Sequence, residues 1–377
     1  MIFCTPSHLS LLEKNTDILI SGADTESCLI FSLHARAEGC IPRICLEIRS
    51  EDGEQLYLSH DYAAAETDVT KKEWRLPPLP KNGMQCIAHI SVPDGGRLHI
   101  LDYSARRDAG YERGSDALRF HAHLGFFGVA PQNTIPAFLY AAKCGFEGCI
   151  ANARKTADGI FVCMHDETIN HTARDLEGNE PKAPMKVAEM TYEDLLEWDF
   201  GRWKHSCYEG TRIALLEDFF AICKASGMQP YISTDNYLTK DDWMKIHAML
   251  THHGLLENFR VKCNYADIEG LKTAFSVLGS DIDGYTLWHF YYEGDMIEKL
   301  HSIGFDESRT HGIIELLEMP EKPCFTEEII AKIRKSGFIP SAVCCWGRKS
   351  GEYYRRLMDL GVLEFTEDYH LSFGLRF

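Results

Sequence analysis

The chain has 377 residues, 45% of them hydrophobic and 25% charged, a composition that excludes wholesale disorder and predicts two domains, or one large domain with an appendage. No stretch of about 18 apolar residues occurs, which excludes a membrane-spanning helix. The formal net charge of −17 disfavours nucleic acid and anionic membrane surfaces as partners, because such a field repels phosphates.

The N-terminus and the cysteines bear on the cellular compartment. Residues 1–6 contain no basic region followed by an apolar run, so no signal peptide is predicted and a cytoplasmic location is expected. The 14 cysteines are scattered and form no C-x-x-C pair. We therefore expect reduced and mostly buried thiols.

Residues 1–116 are predicted to form an all-β, sandwich-like domain. Short segments alternate apolar and polar residues and are separated by turn signals such as Asp52-Gly53. The predicted strands include 28–33, 44–48, 55–58, 85–92 and 97–100. Because no cluster of chemically active side chains occurs here, we interpret the domain as a structural or interaction module, with a ligand-binding sandwich as the alternative. The charged segment 104–116 is predicted to be the linker.

Residues 117–377 change to a repeated alternation of strands and helices, which is typical of parallel βα units. Eight strands over about 260 residues match the size of a (β/α)8 TIM barrel. The predicted barrel strands are 118–120, 148–152, 159–164, 230–234, 259–263, 284–288, 339–345 and 362–366. A ninth strand at 312–317 is expected outside the barrel. The polar stretch 170–211 is too long for a simple loop, and it is predicted to be an inserted lid or subdomain.

Two histidines stand at predicted strand ends. His123 follows the first strand of the barrel, and His165 follows the third. Because the carboxyl ends of barrel strands converge on one site, we expect the two imidazoles to face each other there. A pair of imidazoles is suited to general acid–base chemistry near neutral pH.

The surrounding sequence resembles the glycerophosphodiester phosphodiesterase family. Residues 123–138 are similar to its signature H-R-G…P-E-N-T-x-x-A-F, and residues 145–159 are similar to G-a-d-x-i-E-x-D-v-r-x-T-x-D-G. Residues 162–172 follow V-v-x-H-D-x-x-L-x-R-T, and 361–368 resemble the last strand of the family. The likeness covers residues 119–370 and implies a (β/α)8 barrel that hydrolyses a small-molecule phosphodiester, with His123 and His165 as acid and base.

The chain departs from the family at the metal site. The resemblance implies one Ca²⁺ or Mg²⁺ held by carboxylates, but the matching positions carry none: they are Gln132, Ile150, Asn152 and Ser233. The Arg of H-R-G is Leu124, and a Lys of the fourth strand falls at Asp235. Because hard cations need oxygen ligands, preferably charged ones, we predict no metal and no other cofactor.

Several residues are candidates to support the histidines. Arg154 is predicted on the same strand face as Asn152, where a guanidinium suits a phosphate; bacterial phosphatidylinositol-specific phospholipases C, which are similar barrels, use an arginine near this place without metal. The alternative is an ordinary arginine at the barrel rim. Asp166 is predicted to orient an imidazole or to cap a turn, and Trp346 to line a glycerol pocket or to pack in the core. The further candidates are Asn152 and Gln132 as neutral polar groups, and Lys155, Lys204 and Lys262 as cations.

The sequence leaves two hypotheses of different classes. The first is a phosphodiester hydrolase that works without metal. The second is an inactive barrel that binds a phosphate-containing or polyol ligand, such as glycerol phosphate.

Overall fold

The computed structural model describes residues 11–58, 62–63, 70–107, 118–234, 238–319, 322–345 and 351–368. The chain divides into two compact units, one within residues 1–114 and the other within residues 115–369. In the described part of the chain, no helix is both long enough and apolar enough to cross a bilayer.

The N-terminal unit consists of antiparallel sheets, as predicted. Its strands are β1 Thr16–Ile20, β2 Leu29–Glu38, β3 Arg43–Arg49, β4 Gln55–Leu58, β5 Tyr62–Ala63, β6 Thr70–Leu76, β7 Gln85–Ser91 and β8 Arg97–Arg107. One sheet has the order β1-β7-β3-β4, with β5 also pairing β3, and the other has the order β6-β2-β8. Strand β8 continues to Arg107, so the first residues of the predicted linker belong to the sheet, and residues 108–116 lie outside the described residues.

The second unit contains a closed parallel barrel. Its eight described strands are β9 Arg119–Ala122, β10 Gly148–Lys155, β12 Gln229–Thr234, β13 Arg260–Asn264, β14 Gly284–His289, β15 His311–Leu316, β16 Ile339–Val343 and β17 Glu364–Glu367. They pair in this order, and β17 and β10 both pair with β9, which closes the ring. The predicted TIM barrel is confirmed.

Two strand assignments from the sequence are wrong, and they compensate each other. The strand predicted third, observed as β11 Phe161–Cys163, pairs antiparallel with β10 as a hairpin outside the ring. The strand expected outside the barrel is β15, which lies between β14 and β16. The physical reason is the length of the connection between β10 and β11: five residues allow a hairpin, whereas a parallel crossover needs a dozen or more.

Helices alternate with the strands of the second unit, and α2 belongs to an insertion described below. Within the described residues they are α1 Ile135–Cys144, α2 Tyr192–Leu196, α3 Leu216–Ser226, α4 Lys240–His253, α5 Ile268–Leu278, α6 Met296–His301, α7 Glu327–Lys335 and α8 Gly351–Asp359. Helix α4 shows why they begin where they do: Thr239 and Asp242 form a reciprocal capping box, and Gly254 ends the helix with φ of 62°.

The insertion between β11 and α3 shares a hydrophobic core with β11. Its buried side chains are Val162, Met164, Ile169, Ala173, Val187, Met190, Leu195, Phe200 and Ile213. Helix α2 lies inside this segment, for which the sequence predicts a lid or a subdomain at 170–211.

The lower part of the barrel interior is polar. Arg260 on β13 donates from Nη1 to the Tyr231 hydroxyl at 2.8 Å and to Glu364 Oε2 at 2.8 Å. Its Nε also contacts the carboxylate of Asp283. His121 lies against Tyr231, and burial lowers its pKa to about 4, so the ring is neutral at pH 7. His121 in this network precedes His123 by two residues, so the network lies deeper in the barrel than the candidate site.

Candidate active site

His123 follows β9, the first strand of the barrel, and its side-chain partner follows β17, the last strand. Its Nδ1 lies 2.7 Å from Oδ1 of Asp368, which follows β17. The Asp368 side chain is 2% exposed and that of His123 17%. The pairing of β17 with β9 brings these residues together, and the backbone reinforces it, since the His123 amide donates to the Glu367 carbonyl. A carboxylate at Nδ1 orients the ring and selects Nε2 as the nitrogen that exchanges protons.

His165 has the same kind of partner. Its Nδ1 lies 2.7 Å from Oδ1 of Asp166, whose Oδ2 is 3.4 Å from Nδ1 of His171. The hydrogen bond from His165 is the main cause that lowers the pKa of the Asp166 carboxyl. Arg154 donates from Nε and Nη2 to the His165 carbonyl at 3.2 and 2.7 Å. The guanidinium therefore fixes the backbone of this histidine, which is a supporting role.

The loop between β9 and α1 is tied to β10 by two asparagines. Asn133 donates from Nδ2 to Asn152 Oδ1 at 3.2 Å and accepts from the Asn152 amide at 3.0 Å. Asn133 has a positive φ of 55°, a conformation that asparagine tolerates better than most residues. Leu124 in the same loop also has a φ of 55°. The side chain of Asn152 thus holds the loop in place, and its oxygen already has a donor.

The residues at the metal-site positions do not fit a hard cation. Ile150 is an apolar side chain 1% exposed, and the oxygen of Asn152 accepts from Asn133. Among the described residues, one group of three possible ligand side chains lies within 4.8 Å: His123, Cys345 and Asp368. It offers one carboxylate beside a thiol, and burial raises the pKa of that thiol. Ca²⁺ and Mg²⁺ prefer several oxygens, so this group does not replace the missing ligands.

The insertion contributes a cation on the same side of the barrel. Lys204 donates to the Phe127 carbonyl at 2.9 Å, and its ammonium lies 4.7 Å from the Phe127 ring centroid. Burial lowers the pKa of Lys204 to about 8, an effect that the Asp368 carboxylate opposes. Trp203 stacks on Phe127 and also touches His171, at ring-centroid distances of 6.4 and 5.3 Å. These contacts run from Lys204, whose charge is influenced by Asp368, through Phe127 and Trp203 to His171, which lies beside Asp166. We call the opening of the barrel that these residues border the mouth.

The remaining predicted residues lie apart from this arrangement or outside the residues that the structure describes. Lys155 is bonded to Asp242 of α4 at 2.7 Å, so it serves the helix rather than the mouth. Gln132 is half-buried in the loop before α1. Trp346 and Asp235 lie outside the described residues. Sequence reasoning missed Asp368 as the partner of His123, although its place at the end of the last barrel strand was a usable signal.

The fold is a closed parallel barrel in which one histidine–carboxylate pair joins the ends of the first and last strands, and a second pair follows the hairpin strand β11. Residues 123–251 match the model of the Glycerophosphoryl diester phosphodiesterase family. A glycerophosphodiester phosphodiesterase from Bacillus altitudinis is 36% identical over 105 residues, which cover 26% of this chain and 38% of that protein. One from Caldanaerobacter subterraneus is 33% identical over 101 residues, which cover 27% of this chain and 38% of that protein.

The solved structures agree on the fold. The Oleispira antarctica phosphodiesterase in complex with the product sn-glycerol-3-phosphate superposes with a TM-score of 0.53 at 17% identity, covering 67% of this chain and 93% of that one. Residues 123–251 are therefore similar in sequence to the glycerophosphodiester phosphodiesterase family, and the barrel has the fold of the Oleispira antarctica phosphodiesterase. The sequence matches span well under half the length of these curated relatives.

Lys204 gives the mouth a charge that depends on pH. Because its pKa is lowered to about 8, the ammonium is positive at pH 7 and mostly neutral at pH 9. We expect the affinity for sn-glycerol 3-phosphate to fall as the pH rises through 8. Calorimetric titration at pH 7 and pH 9 measures the change, and the Lys204→Met variant should show a smaller one. An equal fall in both proteins contradicts the assignment.

Proposed function

We propose that this chain hydrolyses a glycerophosphodiester to an alcohol and a glycerol phosphate without a divalent cation. The observation that carries the proposal is the pair of histidine–carboxylate contacts, each at 2.7 Å, on His123 and His165. In both, the carboxylate occupies Nδ1, so Nε2 is presented for proton transfer. A carboxylate in this position also stabilises the imidazolium that forms during the reaction.

The two histidines differ in exposure, which assigns their roles in the proposal. His123, with its buried Asp368, acts as the base that takes a proton from the attacking water. His165 is 47% exposed and acts as the acid that protonates the departing alkoxide, which leaves toward solvent. One P–O bond forms and one breaks, the alcohol keeps the proton from His165, and proton exchange with water resets both rings.

The metal-free part of the proposal rests on the donor set. The side chains at positions 150, 152 and 233 carry no carboxylate, and the Asn152 oxygen is already used by Asn133. Charge on the phosphoryl group must then be balanced by protein cations. Lys204 borders the mouth, and Arg154 holds His165 in place.

Turnover of three substrates tests the proposal. We expect glycerophosphocholine, glycerophosphoethanolamine or a chromogenic phosphodiester to be cleaved at neutral pH, with the rate unchanged by chelator. The comparison is the same assay with added Ca²⁺, against a sodium salt of equal ionic strength. Turnover that requires the metal contradicts the metal-free mechanism. No turnover, with sn-glycerol 3-phosphate still bound in calorimetry, favours the binding-protein hypothesis instead.

A further inference from the structure

The upper part of the barrel interior holds a cation that the two histidines do not use. Lys262 on β13 has a side chain 6% exposed, and its ammonium is ion-paired with Glu315 on β15. The same ammonium lies 5.7 Å from the centroid of the Trp288 ring. The Glu315 carboxylate also accepts from the hydroxyl of Thr366 on β17 at 2.5 Å. These contacts join separate strands, so Lys262 points into the barrel.

The register of the barrel places Lys262 next to the altered metal-site positions. Ser233 on β12 is the register partner of Lys262, and Asn152 on β10 is the register partner of Ser233. Register partners on neighbouring parallel strands point to the same face of a sheet. Asn152, Ser233 and Lys262 therefore form one row inside the barrel. Two members of the row are neutral and the third is positive, so the row suits an anion rather than a cation.

Cys345 relates Lys262 to the first histidine pair. The thiol of Cys345 lies in the group with His123 and Asp368, all within 4.8 Å of one another. Burial is the main cause that raises the pKa of this thiol, Asp368 raises it further, and Lys262 lowers it. The pKa of Cys345 therefore responds to both the Lys262 ammonium and the Asp368 carboxylate. Lys262 is thus a member of the row that faces β10, and its charge acts on a residue of the group that contains His123.

We infer that Lys262 binds the phosphate of the substrate, an assignment that rests on the proposed function. The ammonium contacts a phosphoryl oxygen and exchanges part of its contact with Glu315 for the contact with the anion. Lysine is suited to this because it is a compact charge with three donors that rotate. A buried lysine–glutamate pair contributes little net stability, since both charges lose their hydration. During the exchange the Thr366 hydroxyl still donates to the Glu315 carboxylate, so this buried group keeps a donor.

Charge changes with opposite expected signs test this assignment. Glu315→Gln removes the competing carboxylate and keeps the ammonium, so sn-glycerol 3-phosphate should bind about tenfold more tightly, which corresponds to about 1.4 kcal/mol. The double variant Lys262→Met with Glu315→Gln removes both charges and leaves no unpaired charge in the interior. It should bind about tenfold to a hundredfold more weakly than the wild type, the range for losing one charged hydrogen bond. Calorimetry measures the affinities, and circular dichroism checks folding.

Lys272→Met is the control, because the Lys272 side chain on α5 is 40% exposed and, among the described contacts, is paired only locally with Glu269. Its affinity should equal that of the wild type. The assignment is overturned if the double variant binds as tightly as Glu315→Gln, or if the wild type does not bind sn-glycerol 3-phosphate. If the double variant fails to fold, Glu315→Gln alone decides, since unchanged or weaker binding contradicts the assignment. If the variants show the predicted order of affinities but the protein shows no turnover, the role of Lys262 is supported and the proposed hydrolysis is contradicted.

Discussion

Replacing His123 with alanine is expected to lower kcat for phosphodiester hydrolysis by about 10²–10⁴-fold, the usual contribution of one general acid or base. The imidazole is held by Asp368 at 2.7 Å, so its ring is already oriented for proton transfer. A group that acts mainly on the chemical step changes kcat more than KM. Steady-state kinetics on a chromogenic phosphodiester gives both constants. His165→Ala should produce a loss on the same scale, because it removes the second proton-transfer group.

Two further variants separate catalysis from general damage. Asp368→Asn keeps the shape of the partner but removes its charge, so it should lower kcat while the protein remains folded. His252→Ala is the matched control, since His252 is an exposed residue near the end of α4. It should leave kcat and KM unchanged. Equal activity of His123→Ala and His252→Ala would rule out His123 as the base.

Arg260→Leu is expected to lower the free energy of unfolding by about 3–5 kcal/mol, because it leaves buried carboxylates without their cation. Arg260 is 2% exposed and bonds both Glu364 and Tyr231 inside the barrel. Urea denaturation of the two proteins measures the difference. Arg309→Leu is the control, because Arg309 forms an exposed ion pair with Asp281. Pairs of that kind contribute less than about 1 kcal/mol.

The same network predicts how stability depends on pH. Burial is the largest single effect and raises the pKa of Glu364, but the charge and hydrogen bond of Arg260, together with His121 and Arg119, lower it by more, and the net shift is downward from 4.5. A carboxyl with a lowered pKa in the folded state stabilises the protein fully above its ordinary pKa. That contribution is lost as the pH falls through the folded-state pKa. The deficit of Arg260→Leu should therefore shrink between pH 6 and pH 3, and a constant deficit contradicts the role of this pair.

The sequence was informative where local pattern decides structure. Helix α3 was predicted with its observed bounds of Leu216–Ser226, because apolar spacing and a following glycine are local signals. Strand β6 was missed, since its charged residues suit an edge strand and do not alternate clearly. The exchange of β11 and β15 arose because periodicity identifies a strand but does not state its neighbours.

The sequence by itself determined that the chain contains an all-β unit and a βα barrel, and that a histidine follows the first barrel strand. Those properties depend on periodicity and on the identity of single residues. Only the tertiary structure decided the partners: Asp368 is 245 positions from His123 and meets it because β17 closes the barrel on β9. It likewise directed Arg154 to the His165 carbonyl and Lys262 into the interior beside Ser233. Such contacts depend on strand order and register, which bring together residues that no local pattern relates.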